Sequence, residues 1–157
     1  MALGRIYTVI FNDVTVTAAQ DLFEILAPSG GGLELLEIHL SQQTELGDAM
    51  EEMLNIVTKS GQTTTGSGGT TPTAVPLLLG DAAFGGTCKV NNTTKATAGT
   101  IVTHHTWWWN IRVPFDVVFT PETCKFLQPS ARMTVELVGA PADTMDISGW
   151  IAFRSMG

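Results

Sequence analysis

Short runs in which apolar and polar residues alternate cover most of this chain, and turns rich in Gly, Pro and Thr separate them. A period of two places successive side chains on opposite faces of an extended chain, so it predicts β-strands with one buried face. In Leu33–Ser41, for example, Ile38 and Leu40 fall on one face and Glu37 and His39 on the other. The same pattern predicts further strands over Arg5–Thr17, Asp21–Ala27, Pro114–Pro121, Met133–Val138 and Met145–Phe153. The first of these is expected to break near Asn12 and Asp13.

The segment Gly47–Lys59 fits both a helical pattern and the alternating pattern of a strand. Helical spacing with a capping aspartate is shown by Asp48, Met50, Met53, Leu54 and Val57. Alternation is shown by Leu54, Ile56 and Thr58. Because Asn55–Thr58 is strand-like in composition, we predict a strand over Glu51–Lys59.

About eight or nine short strands without a convincing long helix predict an all-β fold, an antiparallel β-sandwich. A jelly roll of two packed sheets is the expected form at this strand count. The chain has 157 residues, which fits a single domain over residues 1–157.

The stretch Ser60–Thr100 divides the strand-like blocks and resembles neither of them. It holds eight of the sixteen glycines, eleven threonines and only three charged residues. Because it has few large apolar side chains, burying them offsets little of the entropy lost when the stretch becomes ordered. The stretch must therefore pack against another part of the protein or a partner. We expect a long central Gly/Thr/Pro-rich loop in which Val75–Leu79 and Thr87–Asn91 pack as short strands or extended arms.

Within this loop, Thr63–Thr73 is expected to lie along a neighbouring subunit. The candidate contact residues there are Thr64, Thr65, Thr70 and Thr71. Deletion of Thr64–Thr71 is expected to weaken assembly with that subunit more than it unfolds the monomer.

Three consecutive tryptophans form the largest aromatic group. On a strand, Trp107 and Trp109 point to one side and Trp108 to the other. At least one side therefore presents tryptophan to solvent, a ligand, a covering loop or a neighbouring subunit. Since tryptophan is a frequent interface anchor, all three are candidate subunit or partner contacts.

Charge excludes one class of partner. The net charge is −7, and no cluster of Lys and Arg is present to bind phosphates, so nucleic acid is not an expected partner. The first sixty residues hold nine acids against Arg5 and Lys59, so they carry the whole imbalance. This acidic block either steers a basic partner or forms a solvated face.

The beginning of the chain has no continuous apolar run typical of a signal peptide, and no segment is long and apolar enough for a membrane helix. We therefore expect synthesis in the cytosol and no membrane partner. Cys88 and Cys124 are expected to be free thiols in that reducing compartment, with a disulfide as the less favoured alternative.

No motif predicts an enzyme, a cofactor or a metal. The adjacent pair His104 and His105 would face opposite ways on a strand and so would not chelate one ion. The Gly66–Gly69 run lacks the spacing of a nucleophile elbow or a phosphate loop. Glu51 and Glu52 are more typical of a solvated face than of a glycosidase pair, and His39 is expected to be solvated.

Several motifs, in their order and spacing, resemble a family of tailed-phage capsid decoration, or cement, proteins. They are VTVTAAQDLFEILAP, LLEIHLSQ, GDAMEEMLNI, TGSGGTTPT, NNTTKATAG, the Thr120-Pro121-Glu122 turn and PADTMDISGWIAF. The chain departs from the family at Arg154-Ser155, where an acidic pair is usual, and in its longer tryptophan run.

The resemblance implies a jelly-roll-like homotrimer on the outside of an icosahedral head, in the virion, where it clamps neighbouring major capsid proteins. It implies neither catalysis nor a cofactor. The alternative function is a carbohydrate-binding β-sandwich module for host-surface attachment, in which Trp107–Trp109 would stack on sugar rings.

Overall fold

A computed structural model describes residues 4–44 and 51–157. These residues contain eleven strands: β1 (Arg5–Val16), β2 (Gln20–Leu26), β3 (Leu33–Gln42), β4 (Met53–Ser60), β5 (Val75–Pro76), β6 (Thr87–Asn92), β7 (Val102–Asn110), β8 (Phe115–Val118), β9 (Phe126–Leu127), β10 (Arg132–Leu137) and β11 (Met145–Ser155). No helix capable of crossing a membrane occurs in these two ranges.

The strands form two antiparallel sheets. Sheet A has the order β5-β1-β11-β3-β8, and β9 also pairs with β3. Sheet B has the order β6-β2-β10-β4-β7. The sheets pack against each other over one hydrophobic core, so the predicted all-β antiparallel sandwich is confirmed.

The alternating residues supply the core as expected. Sheet A contributes Tyr7, Val9, Phe11, Ile38, Leu40, Ile147, Ile151 and Phe153, and sheet B contributes Phe23, Ile25, Leu54, Ile56, Met133, Val135 and Leu137. Since neighbouring strands share a register, each row of buried side chains continues from strand to strand.

The predicted break in β1 is confirmed. Its register against β11 shifts between Phe11 and Val14, and Asp13 adopts a left-handed backbone with φ 55°. Aspartate tolerates this conformation better than most residues, which accounts for its place at the bulge.

The ambiguous segment is a strand from Met53 to Ser60, so the predicted strand over Glu51–Lys59 is confirmed except at its first two residues. β4 pairs with β10 on one side and β7 on the other, and its alternating residues Leu54 and Ile56 enter the core. This strand pairing overrides the helical spacing, whose first members, Asp48 and Met50, lie outside the described residues.

The central stretch contains the two short strands β5 and β6. The prediction for Thr87–Asn91 is thus confirmed, whereas Val75–Leu79 is a strand only over Val75–Pro76. The segment Thr63–Thr73 runs antiparallel to a later part of its own chain, through the bridges Thr64–Thr97, Ser67–Thr94 and Thr70–Val90. It therefore packs against its own subunit, and contact with a neighbouring subunit stays a prediction.

Candidate functional site

The three tryptophans lie on β7, the last strand of sheet B. Trp109 is 2% exposed and donates its indole N–H to the carbonyl of Val113 at 2.7 Å, while Trp108 on the opposite face is 65% exposed. Trp107 is half-buried, with its ring centroid 5.7 Å from that of Phe115. Of the two arrangements that the sequence allows, the structure selects the one with Trp107 and Trp109 on the core side.

Open grooves lie on both sides of this edge. One, of about 510 Å³, is lined by Trp107–Asn110 and Val113–Val118, and it separates the β7 edge of sheet B from the β8 edge of sheet A. Another, of about 270 Å³, lies beside Trp108 and is lined by Glu52–Asn55 and Val138–Ala140. The larger groove will accept apolar groups, because its only charged lining residue in the described chain is Asp116.

The histidine pair does not alternate as predicted. The register of β4 against β7 shifts by one residue at His104, so both imidazoles reach hydroxyls on the same face of β4. His105 Nδ1 lies 2.8 Å from Thr58 Oγ1, and His104 Nε2 lies 2.7 Å from Ser60 Oγ. Partial burial and then the charge of Lys125 lower the pKa of His104, and burial is also the main cause that lowers the pKa of His105.

Within residues 4–44 and 51–157, no group of three or more His, Cys, Asp or Glu side chains is placed to hold a metal ion. The contact of Ser60 with His104 joins a hydroxyl to an imidazole, as in a nucleophile and its base. The hydroxyl is the only side-chain hydrogen-bond partner of this histidine in the described chain, so no carboxylate there orients its ring as in a catalytic triad.

The candidate threonines lie on a different surface. Residues 61–74 and 93–101, which we call the cover, fold across the outer face of sheet B. Their contacts there include a hydrogen bond from Gln62 Nε2 to Thr134 Oγ1, 3.0 Å, and one from the Thr65 hydroxyl to Glu24 Oε1, 2.7 Å. Thr64 and Thr70 form backbone bridges, and Thr71 is exposed. The outer face of sheet B is therefore the packing partner that the composition of the stretch requires.

Glycine makes this close approach possible. A side chain at Gly66 would meet the side-chain nitrogen of Asn92 and the carbonyl of Thr94 at 2.7 Å. A side chain at Gly69 would collide with the carbonyl of Val90. Only glycine allows the backbone to lie this near its neighbours.

Beneath the cover lies a buried network of charged side chains. Glu24 is its centre, because its carboxylate accepts hydrogen bonds from Thr65, from the Gly66 N–H at 2.9 Å and from Asn92 at 2.8 Å, and lies 2.8 Å from Arg132 Nε. With this many donors around it, the buried carboxylate has its hydrogen-bonding capacity largely satisfied.

Glu136 extends the network along β10. Its two oxygens each lie 2.7 Å from a lysine ammonium, one from Lys59 on β4 and the other from Lys95 in the cover. The face of sheet B that looks away from the core is therefore closed by paired charges rather than by apolar contacts.

Asp21 is the carboxylate of this network that has no cation at ion-pair distance in the described chain. Its Oδ2 accepts the backbone N–H of Ala96 at 2.7 Å. Burial raises the pKa of Asp21 to about 7, against the lowering effect of that hydrogen bond and with a further rise from Glu136 and Glu24. Asp21 is thus near half-charged at neutral pH.

The structure therefore does not bring the two sets of candidate residues together. Trp107–Trp109 occupy the β7 end of sheet B, and the cover contacts mainly β6, β2 and β10. They form separate surfaces.

Sequence reasoning missed a row of side chains on the outer face of sheet A. Ile10, Trp150, His39 and Asp116 are paired in register across four strands. The His39 ring stacks on Trp150 with centroids 3.9 Å apart, and its nitrogens lie 2.5 Å from Asp116 and 3.0 Å from Glu37. The expectation that His39 is solvated is wrong, since these neighbours enclose most of it.

This row borders a groove of about 400 Å³, which is also lined by Asn12, Ser41 and Ser148. The alternating pattern correctly placed His39 and Trp150 on the polar faces of their strands. The contact between the two rings depends on the register between β3 and β11, which no local sequence pattern specifies.

The two cysteines are free thiols in separate environments. Cys88 is buried on the core side of β6, and burial raises its pKa to about 12. Cys124 lies in the loop after β8 with its sulfur 2.8 Å from Glu34, and burial, then this carboxylate, raises its pKa to about 11. Both thiols are poor nucleophiles at neutral pH.

No protein-family model, no curated protein and no solved structure matches the chain.

Proposed function

We propose that the protein is a structural component of a virion, a homotrimeric decoration protein that binds the outside of an icosahedral phage head and clamps neighbouring major capsid proteins. The observation that carries the proposal is the exposed apolar surface at the lateral edges of the sandwich, with Trp108 as its largest member. Exposed apolar groups bordered by polar residues are typical of protein–protein contacts.

Two further features support a structural role. The motif order resembles that of decoration proteins, for which a jelly roll is also expected. Two of the three buried carboxylates in the described chain, Glu24 and Glu136, are paired with Arg132, Lys59 and Lys95 beneath the cover, and none of these five residues lines a groove described above.

The test uses the purified full chain. Light scattering at micromolar concentration is expected to give the mass of three chains, and co-sedimentation with expanded, undecorated heads is expected to show saturable binding. A protein that stays monomeric and does not sediment with heads contradicts the proposal.

A carbohydrate-binding module is the second candidate, because Trp108 stands exposed between two grooves. Glycan binding would quench its fluorescence. Trp108→Ala is the variant to use, since Trp109→Ala would open the core. Quenching that a glycan panel produces in the wild type and that Trp108→Ala abolishes would favour this candidate over the first.

A further inference from the structure

Three consecutive leucines form an exposed turn immediately after β5. Leu77, Leu78 and Leu79 are 64%, 67% and 89% exposed. The turn is fixed at both ends, because the N–H of Leu77 donates to the carbonyl of Ile6 and that of Asp81 to the carbonyl of Leu78, each at 2.9 Å. We call residues 77–80 the leucine turn. An ordered, uncharged projection of this kind is unfavourable in water unless another surface covers it.

The larger groove beside β7, which we call the tryptophan groove, has the complementary character. Its rim carries the exposed side chains of Trp108, Val113 and Val118. Its floor is formed by the buried or half-buried rings of Trp107, Trp109 and Phe115.

The leucine turn and the tryptophan groove lie at opposite ends of the sandwich. In sheet A, β5 is the first strand of the order and β8 is the last. A turn at one end cannot reach the groove at the other end of its own chain. A second copy, placed head to tail and rotated about a shared axis, brings its turn to that groove.

We propose that the leucine turn of one copy inserts into the tryptophan groove of the next, which makes a head-to-tail contact. This inference rests on the homotrimer of the proposed function and names its interface. Because donor and acceptor surfaces differ, each copy uses both, and a closed ring leaves neither exposed. A two-fold contact would bury both only in an antiparallel dimer, which is not the trimer of the proposed function.

Charge favours the same pairing. Arg5 borders the leucine turn through its contact with Asp81, 3.8 Å, and its side chain is 45% exposed. Asp116, the charged residue of the groove lining, is 60% exposed. Head-to-tail association brings these opposite charges to the same interface, which favours the correct orientation.

The test alters the leucine turn and the tryptophan groove in separate variants. One variant removes the turn (Leu77→Ser, Leu78→Ser and Leu79→Ser), and the other blocks the groove (Val113→Asp and Val118→Asp). All five positions are exposed, so far-UV circular dichroism is expected to match the wild type. Each variant alone is expected to be monomeric by light scattering at concentrations where the wild type is a trimer.

An equimolar mixture of the two variants is the decisive sample. One intact turn and one intact groove remain, so the mixture is expected to form a heterodimer and nothing larger. Ile10→Ser is the matched control, because Ile10 is 63% exposed on the outer face of sheet A and belongs to neither the leucine turn nor the lining of the tryptophan groove, and it is expected to leave the trimer unchanged.

Cross-linking locates the contact directly. In a Cys124→Ser background, Leu78→Cys with Val118→Cys on the same chain is expected to give disulfide-linked trimers on oxidation, and either cysteine alone is expected to give none. A linked ring of another size supports the contact and overturns the trimer.

Failure of the turn-and-groove contact can be distinguished from failure of the proposed function. If the wild type is trimeric and binds heads while both variants remain trimeric, the turn-and-groove contact is overturned and the proposed function stands. If the wild type is monomeric and does not bind heads, both are overturned.

Discussion

Asp21 shows how one carboxyl group couples the fold to pH. Its pKa rises from 3.8 in the unfolded chain to about 7 in the folded protein. Between these two values the folded state binds the extra proton. The stability that Asp21 contributes is therefore fully present below pH 3.8 and is lost as the pH rises through 7.

We predict that the free energy of unfolding depends less on pH in the Asp21→Asn variant than in the wild type. The amide oxygen still accepts the Ala96 N–H, and no charge is buried at high pH. Relative to the variant, the wild type should lose about 2–3 kcal/mol of unfolding free energy between pH 5 and pH 8, since a tenfold difference in proton affinity corresponds to about 1.4 kcal/mol. Urea unfolding at the two pH values measures this loss. The exposed Asp143→Asn is the control, and equal slopes for the wild type and Asp21→Asn would refute the assignment.

A comparison of Thr65 with Thr71 distinguishes a threonine of the cover that bonds to sheet B from one that is exposed to solvent. The Thr65 hydroxyl donates to the buried Glu24 carboxylate, whereas Thr71 is exposed. Thr65→Val should cost about 1.5–3 kcal/mol, the usual range for a hydrogen bond to a charged group. Thr71→Val should stay within about 0.5 kcal/mol. Chemical denaturation of the two variants side by side provides the comparison, and a Thr65→Val variant as stable as Thr71→Val would show that this bond adds nothing.

At the scale of elements, the cover is the part of the central loop that packs on sheet B. It lies over buried charges and also closes the outer edge of β6, where Thr70 and Val90 exchange backbone hydrogen bonds. An exposed strand edge is a site for unwanted pairing, and this bridge blocks it.

The contacts of the cover add a loss of monomer stability to the predicted effect of deleting Thr64–Thr71. The deletion removes two donors to Glu24 and the partner of Val90, so the monomer should lose about 3 kcal/mol or more. Thermal unfolding of the monomeric groove variant with and without the deletion measures this loss apart from assembly. An unchanged melting temperature with a weakened trimer would contradict this added loss.

The elements that the sequence predicted are those with local signals. Alternation located β3, β10 and β11, and the turn-rich stretch was recognised as lacking its own core. The leucine turn and the charged network were not predicted. Glu24 and Glu136 look like ordinary polar-face residues in alternating strands, and only the distant cover makes them buried. The register that joins His39 to Trp150 is likewise a property of strand pairing, which a short pattern does not determine.

At the scale of the whole molecule, strands distant in the chain are neighbours in each sheet. β1 pairs with β11, and β2 pairs with β10. Neither sheet is made from one continuous part of the chain, because β1, β3 and β11 lie in sheet A and β2, β4 and β10 lie in sheet B. Since folding of one sheet requires the chain that builds the other, residues 1–157 are expected to unfold in a single cooperative step.

The four tryptophans allow this expectation to be tested, because Trp150 lies in sheet A and Trp107–Trp109 lie in sheet B. One variant keeps only Trp150 through Trp107→Phe, Trp108→Phe and Trp109→Phe, and the other is Trp150→Phe. In each variant the urea midpoint from tryptophan fluorescence should equal the midpoint from far-UV circular dichroism. The two variants will differ in absolute stability, since Trp109 is a core residue, so the comparison is made within each protein. A Trp150 signal that changes at a different urea concentration from the dichroism would mean that sheet A unfolds separately, and the single-domain prediction would then be wrong.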